Sequence, residues 1–117
     1  MVQLLFMKPS ISYDEFQKLD LRVGTVVACQ MPDWSKKLLR FEVDFGFEIG
    51  TRVIFSGIKE WYTPDAFVGK QFPFLINLPP KKMGEEESQG MIIMADGEEK
   101  PIVFALQGSV PAGTIIR

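Results

Sequence analysis

The residues with the clearest chemical potential in this chain lie in the segment 77–91. It begins with Asn77, places Lys81 and Lys82 ahead of three consecutive glutamates, and ends in the run Ser-Gln-Gly-Met at 88–91. Two lysines at the exit of a strand suit the binding of a phosphate backbone, because each ammonium group is a compact point charge. The segment therefore points to ligand binding rather than to catalysis.

The rest of the chain offers few groups for catalysis. It contains no histidine, which removes the most frequent general base and the most frequent metal ligand together. Ser35 stands next to Lys36, but serine beside lysine is common and is usually solvated. Three consecutive glutamates at 85–87 cannot all converge on one cation from a single strand, so we expect a solvated loop there. We expect no enzyme, no metal and no cofactor.

Charge is distributed unevenly along the chain. The net charge is −2, yet residues 34–84 carry more basic than acidic side chains and the remainder is acidic. Because electrostatic screening acts over ~8 Å at physiological salt, a local basic face can attract phosphate on an acidic protein. Lysines at strand ends also serve as ordinary edge protection, so this interpretation stays open beside RNA binding. The basic candidates for an RNA site are Lys36, Lys37, Arg40, Arg52, Lys81 and Lys82.

Three aromatic side chains accompany these basic residues. Trp34, Trp61 and Tyr62 are of the types that stack on unpaired bases in single-strand binders. For Trp61 and Tyr62 we favour the packing of a small helix onto the rest of the fold. The single Cys29 lies in an apolar stretch and is predicted to be buried and inert.

Hydrophobic periodicity predicts a chain made mostly of strands. Apolar residues at 39, 41, 43 and 45 alternate with polar ones, which is the period-two pattern of a half-buried strand. Further strands are predicted at 21–30, 52–56, 71–78, 90–95 and 101–106. Gly24, inside the first of them, marks a bulge or a barrel bend. Turns are predicted at 46–50, 96–97 and 111–113.

Two short helices are predicted beside the strands. Ser12 and Glu15 have the spacing of a capping box, which should open a helix that ends near Leu19. Thr63 followed by proline should begin a second helix that ends near Gly69.

These elements predict an all-β fold, a five-stranded OB-fold barrel with one short helix between strands and a small N-terminal helix. A small β-sandwich is the alternative that periodicity leaves open. We expect one domain over residues 1–117, in which 1–20 form an N-terminal extension and the short helix. A single cysteine, no secretory signal and no apolar run of the ~18 residues that span a bilayer predict a soluble, cytoplasmic protein without a membrane partner.

Several segments, in order along nearly the whole chain, resemble the stand-alone tRNA-binding domain family. That family includes the C-terminal appendix of methionyl-tRNA synthetases and the endothelial monocyte activating polypeptide II module. Residues 14–24 resemble its opening, 37–39 followed by 43–46 its second strand, and 52–58 its third strand. Residues 62–65 and 69–70 resemble its small helix, while Asn77-Leu78, Lys82-Met83 and 88–91 resemble its most distinctive stretch.

The resemblance implies an OB-fold that binds tRNA by shape and phosphate backbone, catalyses nothing and is usually a homodimer. Recognition of RNA through phosphates, 2′-hydroxyls and a few splayed bases is compatible with lysines on a barrel face. The site positions that the resemblance implies are Lys37, Arg52, Asn77, Lys82, Ser88 and Met91, with Met91 shaping the groove.

A second resemblance involves CsaA, a sister branch described as a dimeric chaperone of protein export. It rests on residues 44–50, on Pro-Pro-Lys-Lys at 79–82 and on Pro-Ala-Gly-Thr at 111–114. It implies that unfolded client peptides bind in a hydrophobic groove of the same fold.

We therefore predict a tRNA-binding module, alone or as an accessory to an aminoacyl-tRNA synthetase, with the CsaA-like chaperone as the alternative. Val2, Leu4 and Phe6 have the alternation of a strand that could pair with a partner chain, so a homodimer is predicted through the N-terminal segment and the C-terminal strands. The same tail could instead fold back over its own barrel.

Overall fold

Short strands account for most of the regular structure in this computed structural model, which describes residues 7–117. The strands are β1 (Leu21–Gln30), β2 (Leu39–Asp44), β3 (Thr51–Ser56), β4 (Gln71–Leu75), β5 (Lys81–Met83), β6 (Glu86–Ser88), β7 (Met91–Ile92), β8 (Met94–Asp96) and β9 (Pro101–Val103). Within the described residues, helical structure is limited to α1 (Tyr13–Gln17) and a 3-10 helix at Pro64–Ala66. The predicted all-β class is confirmed.

Five of the strands form one antiparallel sheet in the order β3-β2-β1-β4-β7. The outer strands approach each other through residues 88–89. The backbone N–H of Gln89 donates to the Val53 carbonyl at 2.8 Å, and the N–H of Phe55 donates to the Ser88 hydroxyl at 2.9 Å. The sheet therefore nearly closes into an OB-like barrel, which confirms the predicted fold and disfavours the β-sandwich.

The barrel interior is filled by aliphatic side chains and by a cluster of phenylalanines. In β2 the buried positions alternate with half-buried ones, as its sequence pattern predicts. Phe41 meets Phe67 edge to face with ring centroids 4.9 Å apart, and Phe45 meets Phe74 in the same way at 5.3 Å. Phe67 follows the 3-10 helix, so this short helix closes one end of the core.

Both predicted helices are present but shorter than predicted. The capping box of α1 is confirmed, because Glu15 N–H donates to Ser12 Oγ at 3.1 Å and Ser12 N–H donates to Glu15 Oε1 at 3.0 Å. The helix nevertheless ends at Gln17 rather than near Leu19. After Thr63 the chain makes only a 3-10 turn, and it reverses at Gly69, whose φ of +80° suits glycine.

The predicted strand limits after Gln71 need correction. β4 stops at Leu75 rather than at Leu78, because its partner β1 begins at Leu21, which lies opposite Leu75. The strand predicted at 90–95 is divided into β7, which pairs with β4, and β8, which pairs with β9. β9 ends at Val103 rather than at residue 106. The hairpin of β5 and β6 lies where a loop was predicted.

The β-bulge of β1, predicted as one alternative at Gly24, lies between Val26 and Ala28. The tail residues Val2, Leu4 and Phe6, on which the predicted intermolecular strand rests, lie outside the described residues.

Candidate nucleic-acid interface

The segment singled out by its sequence forms a two-stranded hairpin that stands beside the barrel. β5 and β6 pair antiparallel, so that Lys81 lies opposite Ser88 and Lys82 opposite Glu87. The chain reverses at Gly84, whose φ of +64° lies in the left-handed region that favours glycine. Both lysines are exposed.

The hairpin is tied to the barrel by Arg40 of β2. Its Nε and Nη2 atoms each lie 2.8 Å from one carboxylate oxygen of Glu86, and its Nη1 lies 2.7 Å from Glu42. These hydrogen bonds raise the pKa of Arg40 above its ordinary value and lower the pKa of Glu86 below its own. The Arg40 guanidinium also donates to Gln30. All three guanidinium nitrogens of Arg40 therefore donate hydrogen bonds to other side chains of the protein.

A second contact joins the hairpin to the loop between β1 and β2. The Trp34 ring lies 5.8 Å from the Phe55 ring, and a Cβ atom on Gly84 would come within 3.1 Å of the indole. Trp34 nevertheless remains 54 % exposed. Ser35 fixes the loop, because its N–H donates to the Pro32 carbonyl and its Oγ accepts from the N–H of Lys37.

This contact brings together two segments of the chain that each carry a pair of lysines. Lys36 and Lys37 follow Trp34 closely in the chain, and Lys81 and Lys82 belong to the hairpin against which Trp34 packs. All four side chains are exposed. The ion pairs found among residues 7–117 are made by Arg22 and Arg40 and use none of these lysines.

Arg52 and Ser88 lie at the seam where the barrel closes. Arg52 Nη1 donates to the Ile76 carbonyl at 2.7 Å. Ser88 is buried, and its hydroxyl accepts from Phe55 N–H and donates to the Gly90 carbonyl at 3.2 Å. The hydrogen-bonding groups of both residues therefore hold the strands together where the barrel closes.

Asn77 holds the N-terminal helix against the barrel. Its Oδ1 accepts from Asp20 N–H at 2.8 Å, and its Nδ2 donates to the Lys18 carbonyl at 2.6 Å. Both ends of the side-chain amide are thus engaged with the residues that follow α1.

Met91 borders an apolar cavity of about 450 Å³ beside the hairpin. The same cavity is lined by Phe55, Leu78, Pro79 and Met83, and Lys81 also forms part of its lining. Met91 is 45 % exposed and therefore available to a ligand in this cavity.

Sequence reasoning missed two residues on which this region depends. Gln89 joins β3 through its backbone and through its side-chain Oε1, which accepts from Val53 N–H at 3.0 Å. Glu86 is the partner of Arg40 across 46 positions of sequence, and nothing in the local pattern identifies which of three adjacent glutamates turns towards the barrel. For Gln89, its place inside the Ser-Gln-Gly-Met run was the available signal.

The acidic side chains do not cluster into a metal site in the part of the chain that the structure describes. Residues 7–117 contain no group of three or more cysteine, aspartate or glutamate side chains placed to hold a metal ion. Neither α1 nor the 3-10 helix, the helical segments of these residues, is long and apolar enough to span a membrane.

Comparison with known proteins identifies the family. The family model described as "Putative tRNA binding domain" matches residues 21–115. The chain is 43 % identical over 101 residues to a methionine–tRNA ligase of Bacteroides fragilis, a match that covers 86 % of this chain and 15 % of the ligase. It is 48 % identical over 104 residues to the corresponding ligase of Xanthomonas axonopodis pv. citri, with the same coverage. The chain thus spans about 15 % of the length of these relatives.

Solved structures of similar length match across the whole barrel. A MetRS related protein from Pyrococcus horikoshii superposes with a TM-score of 0.86 at 36 % identity, covering 94 % of this chain and all of that one. The chaperone CsaA from Bacillus anthracis superposes with a TM-score of 0.81 at 26 % identity, covering 93 % of this chain and all of that one. With a match over residues 21–115, this chain belongs to the tRNA-binding domain family.

Proposed function

We propose that this protein is a non-catalytic module that binds tRNA by shape and phosphate backbone. The observation that supports the proposal is the packing of Trp34 on Gly84, which brings the loop that carries Lys36 and Lys37 against the hairpin that carries Lys81 and Lys82. We call these four exposed lysines the basic rim. Lysines that are free of ion pairs can approach phosphates, and the release of counterions from the RNA then drives binding.

The other expected site residues have a different place in the proposal. Arg40, Arg52, Asn77 and Ser88 keep their hydrogen bonds to the protein and position the rim, the seam and α1. Met91 offers apolar surface beside Lys81, where a base or ribose of the RNA can pack.

The proposal is tested by titrating total tRNA against the protein at several salt concentrations. Binding should weaken steeply with salt, with a log–log slope of roughly −0.7 to −0.9 for each phosphate contacted. In the double variant Lys81→Ala/Lys82→Ala the slope should become shallower by about 2, roughly one for each phosphate-binding lysine removed.

A matched control uses an exposed lysine outside the rim. Lys70 precedes β4, whereas Lys81 and Lys82 follow that strand in the chain. Lys70→Ala should leave both the affinity and the slope unchanged. The proposal fails if no saturable tRNA binding is seen, or if the rim variant and the control behave alike.

A second candidate function is favoured by the apolar cavity beside Met91. Its lining of Phe55, Leu78, Pro79 and Met83 suits an apolar side chain of an unfolded peptide, and the similarity to CsaA of Bacillus anthracis supports such a ligand. Apolar burial dominates there, so binding of a denatured client peptide should depend little on salt. Under this function Met91→Asp abolishes peptide binding, and Lys36→Ala/Lys37→Ala, which changes two rim lysines outside the cavity lining, leaves it intact.

The setting proposed for the module is a homodimer in the cytoplasm, alone or as an accessory to an aminoacyl-tRNA synthetase. Exposed apolar residues near the C-terminal end support self-association, since Ile102, Phe104 and Ile115 are each about half exposed. Light scattering on the full chain should give twice the mass of one chain, and Phe104→Glu should reduce it to the monomer value.

A further inference from the structure

A cavity of about 480 Å³ lies at the tip of the hairpin, apart from the apolar cavity beside Met91. Trp34, Gly84, Glu85 and Glu86 line it. Its composition is unlike that of the basic rim, because it combines an exposed indole with two carboxylates. Such carboxylates repel phosphate, so the cavity requires a different kind of partner group.

The indole of Trp34 packs against both the barrel and the hairpin. Phe55 supports it at 5.8 Å, and the backbone of Gly84 lies so close that no side chain larger than glycine fits there without displacement. The loop that carries Trp34 is fixed by Ser35, whose carbonyl also accepts from Lys59 Nζ at 3.3 Å. An aromatic ring that is packed in this way and 54 % exposed is a platform on which a flat group can stack.

The two carboxylates are not equivalent. Both oxygens of Glu86 accept hydrogen bonds from Arg40, so its charge is compensated within the protein. The Glu85 side chain is exposed, and none of the ion pairs among the described residues uses it. It is therefore the available acceptor at the edge of the Trp34 platform.

We propose that this cavity binds an unpaired guanine, which stacks on Trp34 and donates two hydrogen bonds to Glu85. Guanine presents N1–H and the N2 amino group side by side on its Watson–Crick edge, and a carboxylate accepts both at once. Adenine and cytosine each place an acceptor beside their amino group, which the carboxylate repels. This inference rests on the proposed function, since the RNA is brought there by the basic rim.

The surrounding charge favours RNA over a cationic peptide. The loop and the hairpin around the cavity carry three exposed carboxylates and four exposed lysines. The carboxylates are Asp33, Glu85 and Glu87, and the lysines are Lys36, Lys37, Lys81 and Lys82. These lysines repel a lysine-rich or arginine-rich segment and attract the phosphates on either side of a splayed base.

The test uses the fluorescence of Trp34 in a Trp61→Phe background, because the chain contains only these two tryptophans. Oligouridine with a single central guanosine, inosine, adenosine or cytidine is titrated into the full chain. The guanosine oligomer should quench Trp34 and bind about fivefold more tightly than the adenosine one, the low end of what a bidentate base contact provides. Inosine, which lacks the N2 amino group, should fall between them.

Glu85→Gln should abolish the preference for guanosine, because a glutamine side chain offers one acceptor and one donor where the base has two donors. Glu87→Gln removes the same charge from the same hairpin and should keep the preference.

Equal binding of all four oligomers, or quenching by oligolysine in preference to the guanosine oligomer, would overturn the inference. If the oligomers bind equally but with a steep salt dependence, the proposed function stands and only the guanine site is lost. If no oligomer and no tRNA binds, both fail.

Discussion

Ser88 illustrates how a polar residue of a suspected binding motif can serve the barrel instead of a ligand. Its hydroxyl is buried and is the hydrogen-bond partner of the backbone N–H of Phe55. A buried N–H that loses its acceptor has no hydrogen bond to offset the free-energy cost of its removal from water, so the folded state is destabilised. The residue type and spacing suggested a contact to RNA, but they could not reveal that the side chain turns inward to meet β3.

Ser88→Ala should therefore lower the free energy of unfolding by about 1–3 kcal/mol, the cost of an unsatisfied buried donor. Urea denaturation measures this change. Ser109→Ala, at an exposed serine, is the control and should stay within about 0.5 kcal/mol of the unchanged protein. At a temperature where Ser88→Ala is folded, its tRNA affinity should be normal. A variant of normal stability that no longer binds tRNA would instead make Ser88 a contact residue.

Cys29 offers a second prediction at the same scale. Burial raises the pKa of its thiol from the ordinary 9.0 to about 11, so the reactive thiolate is about a hundredfold rarer than for a solvated thiol at pH 8. Alkylation by iodoacetamide should be slower by at least that factor in the folded protein and normal in concentrated urea. Rapid labelling of the folded protein would contradict the half-buried environment of Cys29.

At the scale of elements, the hairpin of β5 and β6 is the part of the site that the sequence could not predict. The stretch 81–88 has too few apolar residues for a strand pattern, and its conformation depends on partners that are distant along the chain. Arg40 binds Glu86 across 46 positions, and Trp34 covers the turn at Gly84. By contrast, β2 was predicted correctly, because its alternating burial follows from its own residues. Local patterns identify half-buried strands, whereas a polar hairpin is defined by tertiary contacts.

The ion pair of Arg40 with Glu86 makes the stability of the protein depend on pH in acid. Arg40 lowers the pKa of Glu86 in the folded state, so the pair stabilises fully above the ordinary glutamate value of 4.5. That contribution is lost as the pH falls through the lowered pKa, where the folded state finally takes up the proton. The stability of the protein relative to Glu86→Gln should thus be greatest at neutral pH and vanish in strong acid.

Urea denaturation of both proteins between pH 7 and pH 3 measures this difference. Glu85→Gln is the matched control, because Glu85 lies in the same hairpin outside the ion pairs of the described residues. The difference in free energy of unfolding between Glu85→Gln and the unchanged protein should not show the same decline in acid. If the difference in free energy of unfolding between Glu86→Gln and the unchanged protein is the same from pH 7 to pH 3, the ion pair does not hold the hairpin in solution.

At the scale of the whole molecule, the order of the strands and the closure of the barrel decide which residues meet. The sequence predicted the class and number of core strands, since each strand has its own apolar pattern. It could not predict that Gln89 and Ser88 would close the seam against β3, because closure depends on the register of strands far apart in the chain. The inward side of β1 shows how tightly that register is set.

Gly24 of β1 faces the barrel interior at its most crowded point. A Cβ atom there would lie 2.4 Å from Val43, 2.7 Å from Phe45 and 2.9 Å from Phe74. These side chains belong to the close-packed core, so Gly24→Ala forces them apart, at a cost of about 3 kcal/mol, the upper end for overpacking. Gly57 is the matched control, since its φ is not positive and a Cβ atom added to it would meet nothing within 4 Å.

Gly57→Ala should accordingly leave the free energy of unfolding within about 0.5 kcal/mol of the unchanged protein. Thermal and urea denaturation of the two variants side by side make the comparison, with tRNA affinity measured on the folded fraction. Because Gly24 lies inside the barrel and the basic rim outside it, a folded Gly24→Ala protein should bind tRNA with the same salt dependence. Equal stability of the two variants would show that the barrel has room around Gly24, and that β1 can shift away from β2 and β4 without loss of closure.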